Sequence, residues 1–134
     1  MALLDVNALV ALAWDSHVHH AAIRSWFTAH ADRGWATCPV TEAGFVRVSA
    51  NPKVLATPTS VAAARQVLTA MRAAAAHRFL ANDVSMTASD LPAVTGHRQI
   101  TDALLLTVAR RNEMRLVTFD RALASDETVE LVPS

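Results

Sequence analysis

Leu3-Leu4-Asp5-Val6-Asn7-Ala8-Leu9-Val10 opens the chain. It begins as a short apolar strand ending near Asp5. From Val6 to Trp14 it takes the pattern of a helix, with Asn7 placed to assist the start. A strand that hands over to a helix this abruptly is the unit of an α/β fold, in which helices cover a sheet of buried strands. The same unit recurs downstream. Trp35-Ala36-Thr37-Cys38 reads as a second strand, and Pro39 suits the first turn of a helix running to about Asn51-Pro52. Arg78-Phe79-Leu80 is a third strand, Arg115 to Thr118 a fourth, and Val129 to Val132 a terminal one.

The remaining helices follow from spacing and caps. Asp15-Ser16 offers a cap for a second helix, with Val18, Ala21, Ala22, Trp26 and Ala29 on one buried face, and Gly34 breaks that pattern. Thr59 or Ser60 opens a long alanine-rich helix to about Ala76, explained by helix propensity alone. Thr101 caps a helix from Asp102 to about Asn112, and Asp120 to Ala124 forms one helical turn. Pro92 and Gly96 make residues 82–96 loop, with at most one helical turn. The expected fold is a three-layer α/β sandwich with a central, mainly parallel sheet flanked by helices.

At 134 residues the chain has the size of one domain, spanning 1–134. Its 52% hydrophobic and 18% charged residues exclude intrinsic disorder. Lone Cys38 excludes a disulfide framework and a cysteine-based zinc finger. No apolar run approaches the roughly 20 residues of a membrane span. Met1-Ala2-Leu3-Leu4-Asp5 lacks the basic start of a secretory signal, so a soluble, cytoplasmic protein is expected. Twelve basic residues balance twelve acidic ones, so net charge gives no nucleic-acid footprint; the bias of 11 arginines to Lys53 reads as base composition.

In such a fold, ligands bind beyond the carboxyl ends of the strands. Asp5 ends the first strand, Asp120 lies just past the fourth, Asp102 sits in the first turn of its helix and Glu42 early in the helix after strand two. All four can meet at one edge of the sheet. Glu42 shares a helical face with Phe45 and Val46, and Ala103-Leu104-Leu105-Leu106 after Asp102 is apolar all round. Carboxylates in such company must be protonated, paired with arginine or gathered round a cation. Without cysteine, that cation is a hard one, Mg²⁺ or Mn²⁺, which activates water for phosphodiester cleavage. Singly, Asp102 also reads as an acid complementing a helix dipole and Asp120 as a turn or cap acid. Together with Asp5 and Glu42 they favour a metal site.

These residues also resemble a known family. Residues 3–10 look like the opening motif of PIN-domain ribonucleases, Ile100-Thr101-Asp102-Ala103-Leu104-Leu105 resembles their third-acid motif, and Val117-Thr118-Phe119-Asp120-Arg121 is similar to their closing Thr-Phe-Asp signature. Glu42 fits the second acid. The match is closest to VapC-type toxins of bacterial toxin–antitoxin pairs, mycobacterial members in particular, through Ser16-His17-Val18-His19-His20-Ala21-Ala22 with Trp26 and through Gly96-His97-Arg98-Gln99. The resemblance implies a Mg²⁺- or Mn²⁺-dependent endoribonuclease, a homodimer inhibited by a cognate antitoxin. It implies an acidic site of Asp5, Glu42, Asp102 and Asp120, with Asp5 and Asp102 as direct ligands and Glu42 and Asp120 binding directly or through water. Asn7 and Thr118 become supporting polar groups. The expected reaction is in-line attack by water, leaving a 5′-phosphate and a 3′-hydroxyl.

Competing readings are a partner-binding module with a vestigial site and a receiver-like phosphoryl-transfer domain; the latter needs a basic partner that only Lys53 could supply. His17, His19 and His20 read as a helix-surface or dimer-contact group, and His97 with Arg98 as either loop or phosphate contact. Arg110, Arg111 and Arg115 read first as a solvated helix end and second as an RNA-backbone contact. Cys38 reads as a small buried residue. Trp14, Trp26, Trp35 and Phe27 exceed what the core needs, so part of that set is expected to stay exposed for an antitoxin helix or dimer mate, Trp26 being the one assigned to the core.

Overall fold

Side chains alternate between two apolar cores along the central strands. Leu3, Ala36 and Leu116 enter one, while Leu4, Trp35 and Val117 enter the other, all fully buried. The structure, a computed structural model, describes residues 1–55 and 59–133. In chain order it contains β1 (Ala2–Leu4), α1 (Val6–Ala13), α2 (His20–His30), β2 (Trp35–Thr37), α3 (Pro39–Ser49), α4 (Val61–Arg72), β3 (His77–Phe79), α5 (Ile100–Arg111), β4 (Arg115–Thr118) and β5 (Val129–Leu131). The strands form one sheet in the order β3-β2-β1-β4-β5, and every pairing is parallel.

The helices divide unequally. Leu9 of α1, Ile23 of α2, Phe45 of α3 and Leu68 of α4 fill the core on one face. Leu105 and Val108 of α5 fill the other. This is the expected three-layer sandwich, with β1 at its centre. Helices α1 and α3 approach closely because residue 44 is glycine; a Cβ there would stand 2.5 Å from Val6 Cγ2. Gly34, at φ +98°, turns the chain into β2 in a conformation that other residues rarely adopt.

Several boundaries differ from the sequence expectation. Helix α2 starts at His20 rather than after Asp15-Ser16, which lie in a turn, and Val18 is 84% exposed instead of sharing the buried face. Ser60 does cap α4, its Oγ accepting the Ala63 N–H at 3.0 Å, but the helix ends at Arg72 rather than Ala76. High alanine propensity is overridden there because the chain must reverse into β3, with Ala75 at φ 52°. Helix α5 begins at Ile100 with Gln99 in the cap position, so Thr101 is not its cap. Helix α3 ends at Ser49, and residues 82–96 are turn and loop.

The aromatic surplus is absorbed by packing. Trp26 and Trp35 are buried, Trp14 lies parallel to Phe45 with ring centres 6.4 Å apart, and its Nε1–H donates to Ser49 Oγ at 2.9 Å. Phe27 meets Trp35 edge-on at 5.3 Å. The expected exposed aromatic patch is therefore not formed by these four residues. No described helix is long and apolar enough to cross a membrane.

Candidate active site

The carboxyl edge of the sheet carries all four sequence-predicted acids, in two adjoining groups. In the first, Asp5 follows β1 and caps α1; its Oδ1 accepts the Val6 N–H at 2.7 Å. Its Oδ2 accepts the Thr118 hydroxyl at 2.9 Å. Thr118, at the end of β4, has one proton to give, so its oxygen accepts from Asn7 Nδ2 at 3.0 Å and from the Asp120 N–H at 3.1 Å. Asn7 Oδ1 in turn accepts the Phe119 N–H at 3.1 Å. A fully buried hydroxyl thus joins the ends of β1 and β4 and fixes the turn that presents Asp120.

Asp102 completes this group from the first turn of α5. Asp5, Asn7, Asp102 and Asp120 line one cleft of about 420 Å³, with Val6, Val10, Val48 and Val54 as its apolar walls. Burial pushes the Asp5 carboxyl above its ordinary value; the bonds from Thr118 and Val6 oppose this, and the charge of Asp120 adds to it. Asp102 is raised by burial and then by the charges of Asp5 and Asp120. The repulsion accords with three acids lining one cleft. Neither arginine nor lysine lines the cleft among the described residues.

Among the described residues the one basic group in the lining is His17, which the sequence placed on a helix surface or dimer contact. Its Nδ1 accepts the His19 N–H at 3.0 Å, leaving Nε2 to carry the ring proton. Burial and the neighbouring His19 and His20 lower its pKa. His19 stacks on Phe119 at 4.6 Å, tying the histidine turn to the end of β4. Nothing in the spacing of His17 signals this position.

Glu42 is one strand over. The hydroxyl of Thr37, the last residue of β2, donates to Glu42 Oε2 at 2.6 Å, and Arg72 Nη1 of α4 approaches the same oxygen at 3.4 Å. With its proton committed, Thr37 accepts from His77 Nε2 at 2.8 Å. Glu42 lines a separate cleft of about 460 Å³, mainly against Arg65, Gln66, Thr69 and Arg72. The structure therefore brings Asp5, Asp102 and Asp120 together and holds Glu42 beside them. Thr37 and Arg72 escaped the sequence reading; the recurrence of threonine at a strand end before an acid was the available signal for Thr37.

The arginines near the end of α5 are paired. Arg111 grips Asp90 through two bonds of 2.8 and 2.7 Å, Arg110 pairs with Asp126, and Arg115 with Glu130 at 3.4 Å. They fit the expected helix end better than an RNA contact. Cys38 is buried, as expected.

A PIN-domain profile matches residues 2–125. The chain belongs to the PIN-domain family. Within it, the sequence is 69% identical over 120 residues to Ribonuclease VapC38 of Mycobacterium tuberculosis, covering 90% of this chain and 85% of that one. It is 49% identical to Ribonuclease VapC39 of the same organism over 134 residues, 98% of this chain and 96% of the relative. These matches place the PIN domain among the VapC proteins. Two solved structures share its fold. Mycobacterium tuberculosis VapC20, a sarcin-ricin loop cleaving toxin, superposes with a TM-score of 0.68 at 12% identity, over 99% of this chain and all of that one. VapBC2 from Rickettsia felis, bound to a DNA fragment from its promoter, gives 0.66 at 15% identity, covering 97% and 96%.

The donor chemistry fits a hard divalent cation. The cleft offers three carboxylates whose charges no arginine or lysine compensates in its described lining, with the His17 ring beside them. Among the described residues no three acidic, histidine or cysteine side chains lie close enough together to hold a metal ion as placed. Asp5 is fixed by two hydrogen bonds.

Proposed function

We propose that this PIN domain, residues 1–134, is a VapC-type endoribonuclease toxin that hydrolyses RNA phosphodiesters with Mg²⁺ or Mn²⁺. In this reading it works in the cytoplasm as a homodimer and is held in check by a cognate antitoxin. The observation that carries the reading is the meeting of Asp5, Asp102 and Asp120 in one cleft whose described lining contains no arginine or lysine. The identities to proteins named ribonucleases support it.

Asp5 and Asp102 would hold the cation directly, Asp120 directly or through water. Glu42 takes an outer place, since Thr37 and Arg72 already engage its Oε2. A bound divalent cation supplies activation of water and stabilisation of charge on the phosphoryl oxygens. The chain's own part is orientation. Thr118 holds the Asp5 carboxylate, Asn7 clamps Thr118 and Phe119, and the Val6 and Val10 walls limit water around the charged oxygens.

Cleavage of total bacterial RNA by the purified protein tests this, with Mg²⁺ or Mn²⁺, with chelator, and with Asp102→Asn, the cut ends being mapped. Discrete cuts bearing 5′-phosphates, lost with chelator and in the variant, are expected. Cleavage that survives Asp102→Asn would overturn the site assignment. The pairing of Glu42 with Arg72 favours one other reading, a vestigial module whose task is partner binding. Absence of both cleavage and divalent-metal binding would establish that reading instead.

A further inference from the structure

Asp102 faces two cavities. Besides the acid cleft, it borders a smaller pocket of about 170 Å³ on the other side of the α5 start. The wall of that pocket is apolar, made by Ala103, Leu106, Leu123 and Pro92, while Gln99 and Ser125 bring an amide and a hydroxyl to it. Both of these side chains are exposed. The other carboxylate in the lining, Asp126, is taken up by Arg110 and the Thr128 N–H. Asp102 is thus the pocket's acid without an arginine partner among the described residues. The loop wall is anchored, because Asp90, two residues before Pro92, is gripped by Arg111 at 2.8 and 2.7 Å.

Single-stranded RNA is recognised by packing an unstacked base against apolar surface and hydrogen-bonding its edge. An amide offers both a donor and an acceptor, which suits such an edge. The pocket has the scale of one base, and its shared Asp102 puts it next to the phosphate that the acid cleft would cut. We propose that this pocket receives the base adjoining the scissile phosphodiester and that Gln99 reads its edge, so that the α5 start and the anchored loop choose the cleavage site. The proposal rests on the ribonuclease reading given above.

The test uses a pool of short single-stranded RNAs randomised at every position, digested with Mn²⁺ by wild type, Gln99→Ala and Val94→Trp, the cut ends being sequenced. Val94 lies at the pocket and is 37% exposed, so tryptophan there fills space without opening the core. Wild type is expected to prefer particular bases at one position beside the cut. Gln99→Ala should flatten that preference about tenfold while preferences elsewhere in the profile persist, and Val94→Trp should shift it toward smaller bases. Unchanged profiles in both variants, or a wild-type profile without preference beside the cut, overturn the pocket assignment. Unchanged profiles with weakened binding of the cognate antitoxin by Val94→Trp would give the pocket to a protein partner, which also overturns it. A pool left uncut by a wild type that does cut total bacterial RNA also overturns the pocket assignment, whereas no cleavage of either RNA together with no divalent-metal binding would overturn the ribonuclease reading itself.

Discussion

Strands β2 and β4, on either side of β1, end in the same device. Each closes on a fully buried threonine whose hydroxyl donates to a carboxylate: Thr37 to Glu42, Thr118 to Asp5. The difference lies in what stands opposite. Arg72 neutralises Glu42, whereas Asp5 shares its cleft with Asp102 and Asp120. The first arrangement is an ion pair, and the second is a concentration of like charge. One motif thus closes on an arginine-paired acid on one side of β1 and on a cluster of acids on the other.

The largest test of this contrast removes charge from the unpaired side. Asp5→Asn should lower cation-dependent RNA cleavage about a thousandfold, since metal assistance contributes several kcal/mol to such reactions. Arg72→Ala should leave the cleavage rate within about tenfold of wild type; an equal loss in both variants, measured as initial rates on one RNA, would erase the distinction between the two clefts. Next, Thr118→Val should weaken divalent-metal binding about 10- to 100-fold by titration and cost about 1–3 kcal/mol in urea unfolding, because Asn7 Nδ2 and Asp5 Oδ2 lose their partner. Thr37→Val should cost less, Glu42 keeping Arg72, and should leave metal binding near wild type.

Much of this design was legible. Asp5, Asp102 and Asp120 could be placed at one sheet edge because each lies within two residues of a strand end or helix start, where α/β geometry converges. Pro39 marked the start of α3, and short apolar runs marked β1 and β4. What stayed hidden depended on contacts between distant segments. Arg72 sits 30 positions beyond Glu42, and no local pattern announces their pairing. His17 reaches the acid cleft from a turn that a cap motif at Asp15-Ser16 disguised as helix. Alanines 73–76 carry the strongest helix propensity, yet the register of β3 against β2 demands a reversal there.

The smallest expected effect lies outside both clefts. Asp126 is raised by burial, but bonds from Thr128 and Arg110 outweigh this and hold its carboxyl below the ordinary 3.8. The unfolded chain therefore binds more protons between the two values, so Asp126 contributes stability above pH 3.8 that is lost as pH falls through the folded value. Solvent screening limits that contribution to about 0.5–1 kcal/mol. Asp126→Asn should lower stability by that amount on the neutral side of a urea-unfolding pH series and leave the most acid points nearly unchanged, so that the acid slope flattens.

The bond from Thr118 to Asp5 spans 113 positions of the chain. During translation at ~5–20 residues per second, Asp5 therefore leaves the ribosome roughly 6–23 seconds before the hydroxyl that orients it. Until then β1 has no β4 beside it, and the acid cleft does not exist. A nascent or prematurely terminated chain that stops short of Thr118 lacks the β4 hydroxyl that orients Asp5.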